Sequence, residues 1–164
     1  MRVKAVYPGS FDPVTFGHID LIRRGAAMFS EVVVGVADNP RKAHLFTMEE
    51  RVAFLRQATA GMANVSVMGF TSLLVEFARS VDARVIIKGL RAVSDFEYEM
   101  QMSLINRRLA AGVETVFMMP SEEYLFVSSS VVKEVASLLG DVSSMAPDFI
   151  GSALRERLLS AGGE

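Results

Sequence analysis

The chain has 164 residues, 51% of them apolar and 22% charged, and its 17 Lys and Arg nearly balance its 19 Asp and Glu. This is the composition of about one globular domain, and the balance lacks the electrostatic footprint of a general nucleic-acid binder, though a local basic pocket could still hold a few phosphates. The absence of cysteine excludes disulfides, thiolate nucleophiles and Cys-based zinc sites.

Residues 3–7 are a short apolar run stopped by Pro8-Gly9, the first predicted strand. Residues 18–29 place Ile19, Ile22, Ala26 and Phe29 at helical spacing. A second strand at 32–37 (VVVGVA) ends at Asp38-Asn39-Pro40. Thr47-Met48-Glu49-Glu50 has the pattern of a capping box and opens a helix with Met48, Val52 and Leu55 on one face. A strand at 65–68, a helix at 73–80 and a strand at 85–87 follow. Ser94-Asp95-Phe96-Glu97 repeats the capping pattern for a helix that Gly112 stops. A strand at 115–119, a helix at 128–139 ended by Gly140 and a last helix begun by Pro147 complete the order.

Short strands rich in β-branched residues belong to a sheet buried on both faces. Their alternation with helices predicts an α/β fold, a single domain over 1–164. Its expected form is a Rossmann-like open parallel five-stranded sheet with helices on both faces. Ligands of such sheets bind beyond the C-terminal strand ends. The N-terminus lacks a signal-peptide core and no apolar run is long enough to span a membrane, so a cytoplasmic protein with no membrane partner is expected.

Three strand-to-helix segments carry the candidate chemistry. The first, Tyr7-Pro8-Gly9-Ser10-Phe11-Asp12-Pro13-Val14-Thr15-Phe16-Gly17-His18, matches neither a Walker loop nor a dinucleotide fingerprint. It places His18 at a helix entrance, where free N–H groups and the helix dipole favour an anion. Gly17 beside it would let a ligand approach the backbone. Taken alone, a Gly-His pair is more often a turn followed by a surface cap. The second segment, Lys88-Gly89-Leu90-Arg91, follows a strand and offers two cations, Arg gripping phosphate by two bonds and Lys as a point charge. The third, Ser128-Ser129-Ser130, supplies hydroxyls and unpaired N–H groups before an apolar helix. Lys42 lies in a polar loop after the second strand, and Tyr98 and Glu99 one turn into the fourth crossover helix. Together they offer phosphate donors without a Cys nucleophile, a metal cluster or a Ser-His-Asp set. That predicts catalysis by positioning and charge neutralisation at a nucleotide phosphate. With two histidines, any essential metal is expected to be Mg²⁺ shared with a phosphate ligand.

These motifs resemble a known family. Residues 7–18 contain the T-x-G-H form of the nucleotidyltransferase signature. K-G-L-R-A-V-S-D-F-E-Y-E-M-Q at 88–101 and S-S-S-V-V-K-E-V at 128–135 are narrower, and with the length they resemble bacterial phosphopantetheine adenylyltransferases. The resemblance implies transfer of adenylate from ATP to 4′-phosphopantetheine, giving dephospho-CoA and pyrophosphate, with Mg²⁺. It implies that Ser10 and Phe11 meet ATP, Ser10 also meeting the acceptor phosphate. His18 would hold ATP phosphates and stabilise the transition state, and Lys42 would bridge the acceptor phosphate and the reacting α-phosphate. Leu74 and Lys88 would bind the acceptor. Gly89, Leu90, Arg91 and Glu99 would bind ATP, with Tyr124, Leu125, Phe126, Val127, Ser128, Ser129 and Ser130 closing around the nucleotide. His18, Lys42 and Arg91 would carry catalysis. Family members are typically cytoplasmic homohexamers that coenzyme A can inhibit. Many carry Thr where this chain has Ser10 and Arg where it has Lys88; Lys133 stands where the wider superfamily often has Arg.

The motifs leave rivals. Another small nucleotidyltransferase could act on glycerol phosphate or nicotinamide mononucleotide. A nucleotide-sensing module would bind ATP without releasing pyrophosphate. A nucleic-acid binder is a distant third.

Overall fold

The five apolar runs form five parallel strands in a computed structural model that describes residues 3–38, 43–91 and 93–161. They are β1 (Lys4–Gly9), β2 (Glu31–Ala37), β3 (Val65–Phe70), β4 (Val85–Gly89) and β5 (Glu114–Met118), in the order β3-β2-β1-β4-β5. Helices α1 (Phe16–Met28), α2 (Met48–Ala58), α3 (Leu74–Ser80) and α4 (Val93–Leu109) are the crossovers. A 3-10 turn (Glu122–Tyr124), α5 (Ser129–Ser137) and α6 (Asp148–Ala161) follow β5. The expected architecture is present: an all-parallel Rossmann-like sheet covered on both faces.

Side-chain alternation along the strands divides the core in two. Ala5, Tyr7, Val32, Val34, Val36 and Ile87 pack with Ile22 of α1, Leu55 of α2, Val132 of α5 and Leu154 of α6. Val6, Val33 and Ile86 face the other way, onto Val75, Phe77 and Ala78 of α3.

Strands β1, β3 and β4 run two residues past their expected ends. Pro8 and Gly9 pair with Gly35 and Val36 of β2. A proline is tolerated in this central strand because β1 meets β4 only at Ala5↔Val85 and Val6↔Ile86. Beyond that point β1 is paired on one side, as at an edge. Helix α1 starts at Phe16, two residues earlier than its apolar spacing suggests, because Thr15 is the N-cap. Helix α4 starts at Val93, so Ser94 lies inside its first turn instead of preceding it, a correction to the second capping-box expectation. Helix α5 stops at Ser137, two residues short of the expected end. Leu139 adopts φ 60, and the Gly140 N–H closes back onto the Val135 carbonyl at 2.8 Å.

Candidate active site

A cleft of about 450 Å³ opens where β1 and β4 part. Strand order reverses there, at the switch point where open α/β sheets bind ligands. Tyr7, Pro8, Gly9 and Ser10 form one wall, and Lys88, Gly89 and Arg91 the opposite one. Thr15, Gly17 and His18 close the α1 side, Tyr98 and Glu99 come from α4, and Pro120, Tyr124 and Val127 come from the segment after β5.

His18 occupies the third position of α1, inside a capping box. The Thr15 N–H donates to His18 Nδ1 at 3.0 Å, and Thr15 Oγ1 accepts from the His18 N–H at 3.4 Å. An Nδ1 that accepts carries no proton, so the neutral ring carries it on Nε2 and can offer that N–H to the cleft. Burial, with the Arg91 guanidinium, pushes the imidazole pKa down to about 4. The ring is therefore a neutral donor at pH 7. Nδ1 thus serves the cap, and the ring that carries Nε2 lines the cleft.

Ser10 lines the cleft, whereas Phe11 is buried beneath it. The Phe11 ring meets Tyr7 and His18 edge-on, with centroids 5.5 and 5.0 Å away. Its φ of 49 is unusual for so bulky a residue and is held by that packing. Gly9 is required here: a Cβ would stand 2.9 Å from the Phe11 ring. At Gly17 a Cβ would meet Tyr124 Cβ at 3.4 Å, an ordinary contact that brings the segment after β5 close to the helix entrance. Burial pushes the Tyr7 hydroxyl well above its usual value, against the pull of Arg91.

Lys88 Nζ and Glu99 Oε2 stand 3.1 Å apart, a charge pair without hydrogen-bond alignment. Lys88 and Tyr98 also border a second, mostly apolar groove of about 200 Å³, lined by Leu74, Met102, Ile105 and Leu109. The two expected acceptor contacts Leu74 and Lys88 thus share one groove that opens beside the cleft. Leu90 continues the β4–β5 ladder, its N–H bonding to the Met118 carbonyl at 3.0 Å.

The three serines divide their work. Ser128 caps α5, accepting from the Val131 N–H at 3.2 Å. Ser129 donates to the Pro13 carbonyl at 2.7 Å, tying α5 to the first segment. Ser130 is exposed and lines a neighbouring cleft of about 320 Å³ with Ser10, Asp12, His44, Ser129 and Lys133. Of the residues expected to close around the nucleotide, Tyr124 and Val127 line the main cleft, Leu125 is half-buried and Phe126 is 85% exposed. Asp20 on α1 anchors this segment by accepting from the Ser121 N–H at 2.9 Å and hydroxyl at 3.1 Å. Lys42 lies outside the described residues.

Sequence reading missed Asp12 and Arg51. Asp12 accepts from the N–H groups of Leu45 and Phe46 and from Lys133 Nζ, each at 2.9 Å. Burial pushes its carboxyl up, but the Leu45 N–H, Lys133 and the Phe46 N–H outweigh that and hold it below the usual value. Arg51 is 1% exposed on the buried side of α2. Its signal was visible: with Met48, Val52 and Leu55 it completes the i, i+3, i+4, i+7 stripe, a position where an unpaired charge would be costly.

Among the described residues no group of three or more His, Asp or Glu converges to hold a metal ion. Both Asp12 oxygens are already engaged. The Mg²⁺ implied by the resemblance does not fit a protein cage among these residues, and an ion arriving with a nucleotide would rest on phosphate oxygens. Nor is any described helix long and apolar enough to cross a membrane.

Among the solved structures that share the fold, two illustrate it. A lipopolysaccharide core biosynthesis protein from Thermoplasma volcanium GSS1 is 20% identical, over 74% of this chain and 98% of its own, with a TM-score of 0.55. A candidate nicotinate-nucleotide adenylyltransferase from Vibrio parahaemolyticus is 17% identical, over 99% of this chain and 94% of its own, with a TM-score of 0.64. At such identities the likeness is one of fold. A family model described as cytidylyltransferase-like matches residues 6–135, a span holding all three segments around the cleft, and the chain belongs to the cytidylyltransferase-like family of the nucleotidyltransferase superfamily.

Proposed function

We propose that the protein transfers the adenylyl group of ATP to 4′-phosphopantetheine, releasing pyrophosphate and giving dephospho-CoA. One observation carries the choice of acceptor: the polar cleft adjoins an apolar groove at Lys88 and Tyr98. An acceptor with a phosphate at one end of a long, weakly polar arm fits that pair. A compact acceptor such as glycerol phosphate leaves the groove empty.

In this reaction an acceptor phosphate oxygen attacks the α-phosphorus of ATP in line. The new P–O bond forms as the bond to the β-phosphate oxygen breaks, and pyrophosphate leaves with its electron pair. No general base is required, because a phosphate monoester has its second pKa near about 6 and is largely a dianion at pH 7. His18 Nε2–H donates to charge that grows in the transition state, worth about 10²–10³ in rate for one such donor. Arg91 and Lys42 neutralise charge, Lys42 between the acceptor phosphate and the α-phosphate. Ser10 touches both phosphate groups and Lys88 holds the acceptor side. ATP lies along Gly89, Leu90, Arg91 and Glu99 under the segment from Tyr124 to Ser130, and would arrive with Mg²⁺ on its phosphates. A cytoplasmic homohexamer inhibited by coenzyme A completes the proposal.

The test is pyrophosphate release from ATP and Mg²⁺ with 4′-phosphopantetheine. Pantetheine, nicotinate mononucleotide, nicotinamide mononucleotide and glycerol phosphate serve as alternatives, each with ATP and CTP. Release that depends on 4′-phosphopantetheine is expected. Preference for a nucleotide acceptor would overturn the choice of substrate, and efficient adenylylation of pantetheine would overturn the mechanism without a base.

A further inference from the structure

Arg51 contributes no atom to the main cleft wall, yet its guanidinium meets oxygens from three parts of the chain that surround it. Nη1 donates to the Ser10 carbonyl at 2.8 Å and to the Ala37 carbonyl at 3.0 Å. Nη2 donates to Asp38 Oδ1 at 3.0 Å. Nε is shared between the carbonyls of Phe46 at 3.1 Å and Thr47 at 3.3 Å. Ala37 and Asp38 stand where β2 ends; Phe46 and Thr47 stand where α2 begins. One buried side chain therefore holds both ends of the β2–α2 connection, the segment whose sequence includes Lys42, and ties both to Ser10.

The far end is held with unusual completeness. The N–H groups of Leu45 and Phe46 go to Asp12, the Leu45 carbonyl accepts from Arg157 of α6 at 2.7 Å, and the Phe46 carbonyl accepts from Arg51. All four backbone groups of these two irregular residues are satisfied by side chains, three of them from Asp12 and Arg157, distant in sequence, and one from Arg51 of the adjoining helix. Fixing an irregular stretch this firmly costs conformational entropy. It brings an advantage where geometry at a reacting group must be kept to a fraction of an ångström.

We infer that Arg51 is a positioning residue for phosphoryl chemistry: by clamping both ends of the β2–α2 connection to the Ser10 carbonyl, it sets the place where the acceptor phosphate meets the α-phosphate, while the rest of the nucleotide is held by the β4 side of the cleft. The inference rests on the proposed function only for what the acceptor is. The nucleotide side, from Gly89 to Arg91 and from Pro120 to Val127, makes no hydrogen bond to Arg51 among the described residues.

The experiment compares wild type with Arg51→Lys and Asp38→Ala. Lysine keeps the charge but lacks the planar fork that reaches several acceptors at once. Asp38→Ala removes one clamp point at a partly exposed side chain and tests the clamp even if Arg51→Lys fails to fold. Three quantities are measured on folded protein: the ATP Kd, the acceptor KM and kcat, and amide hydrogen exchange. The acceptor is whichever phosphate monoester the wild type turns over best. For Arg51→Lys the acceptor KM should rise at least about tenfold as ground-state contacts are lost, and kcat should fall as contacts realised only in the transition state are lost, while the ATP Kd stays within about twofold. Exchange should quicken at residues 43–47 and stay unchanged at 121–127. Asp38→Ala should move the same quantities in the same direction, less far.

Equal weakening of ATP and acceptor, or wild-type acceptor kinetics in both folded variants, would overturn the inference. A wild type that uses another phosphate acceptor would end the pantetheine reading while leaving this comparison intact. If no acceptor is turned over, the proposed function fails, and the hydrogen-exchange contrast alone decides whether Arg51 is the clamp.

Discussion

His18 has one nitrogen committed to Thr15 and one without a hydrogen-bond partner among the described residues, and each property can be measured. Nitrogen NMR should show an Nε2–H tautomer and a titration near a pKa of about 4. The sign for stability follows from the unfolded value near about 6.5. Above that pH the ring is neutral in both states and the fold loses nothing. As pH falls from about 6.5 towards 4 only the unfolded chain takes up the proton, so stability declines. His18→Ala should cost about 10²–10³ in kcat. Its ATP Kd should change far less, and the reverse pattern would make the ring a ground-state contact only. Lys88→Ala should weaken acceptor binding and Lys88→Arg should preserve or tighten it, because the guanidinium fork matches phosphate. Titration calorimetry with the acceptor distinguishes the two. If Lys88→Ala impaired ATP binding alone, Lys88 would belong to the nucleotide side.

At the scale of elements, the helix starts that frame the cleft were only partly legible. Thr47-Met48-Glu49-Glu50 declares its capping box because Glu at the third position has a carboxylate to return to the N-cap. Thr15 hides the same device because its third residue is His18, and imidazole is not the usual reciprocal partner. The apolar strands were legible from composition, but their extra residues were not, since only the splay of β1 from β4 tells Pro8 that it may stay in a strand. Asp12 escaped notice for a related reason, whereas the place of Arg51 on the apolar stripe of α2 already marks it as buried. A buried charge looks like a surface charge until its partners, far off in sequence, are known. Ser128→Ala removes the side-chain cap of α5 and should cost about 1 kcal/mol. Denaturant unfolding should show that loss, and a loss near zero would mean that packing of Val132 alone holds the helix start.

For the whole molecule, acid resistance is tied to the Asp12 cluster. Its carboxyl titrates below the usual value in the fold, so it contributes stability above the unfolded pKa and loses it as pH falls through the folded one. Asp12→Asn should flatten the decline in Tm below about pH 4, and an unaltered acid profile would exclude the cluster as its source. Helix α4 raises a second question at this scale. It leaves Phe96, Met100 and Leu104, which lie outside the apolar groove and at i, i+4, i+8 spacing, 43%, 39% and 57% exposed. Exposed apolar side chains in such a row suit an interaction surface, and the proposed homohexamer would put a second copy over them. Light scattering should give a mass several times the 17.9 kDa of one chain. Leu104→Glu, outside the groove, should lower that mass, whereas a wild-type monomer would leave α4 without this role.

The thin seam between β1 and β4 has a consequence for how the chain comes together. Strands β2 and β3 join β1 through neighbouring crossovers, so a growing chain can assemble half the sheet, with Thr15 and His18 already in place. No nucleotide pocket exists then, because its opposite wall arrives only when β4 returns to the free side of β1 and meets it at two positions. A ligand in the cleft touches both walls and so selects the joined sheet over every partly assembled form. Its gain is set by mass action, about 2.7 kcal/mol at a hundred times its Kd. The nucleotide would thus serve as the last staple of the fold, and a chain waiting for it would be most vulnerable to proteases along that seam.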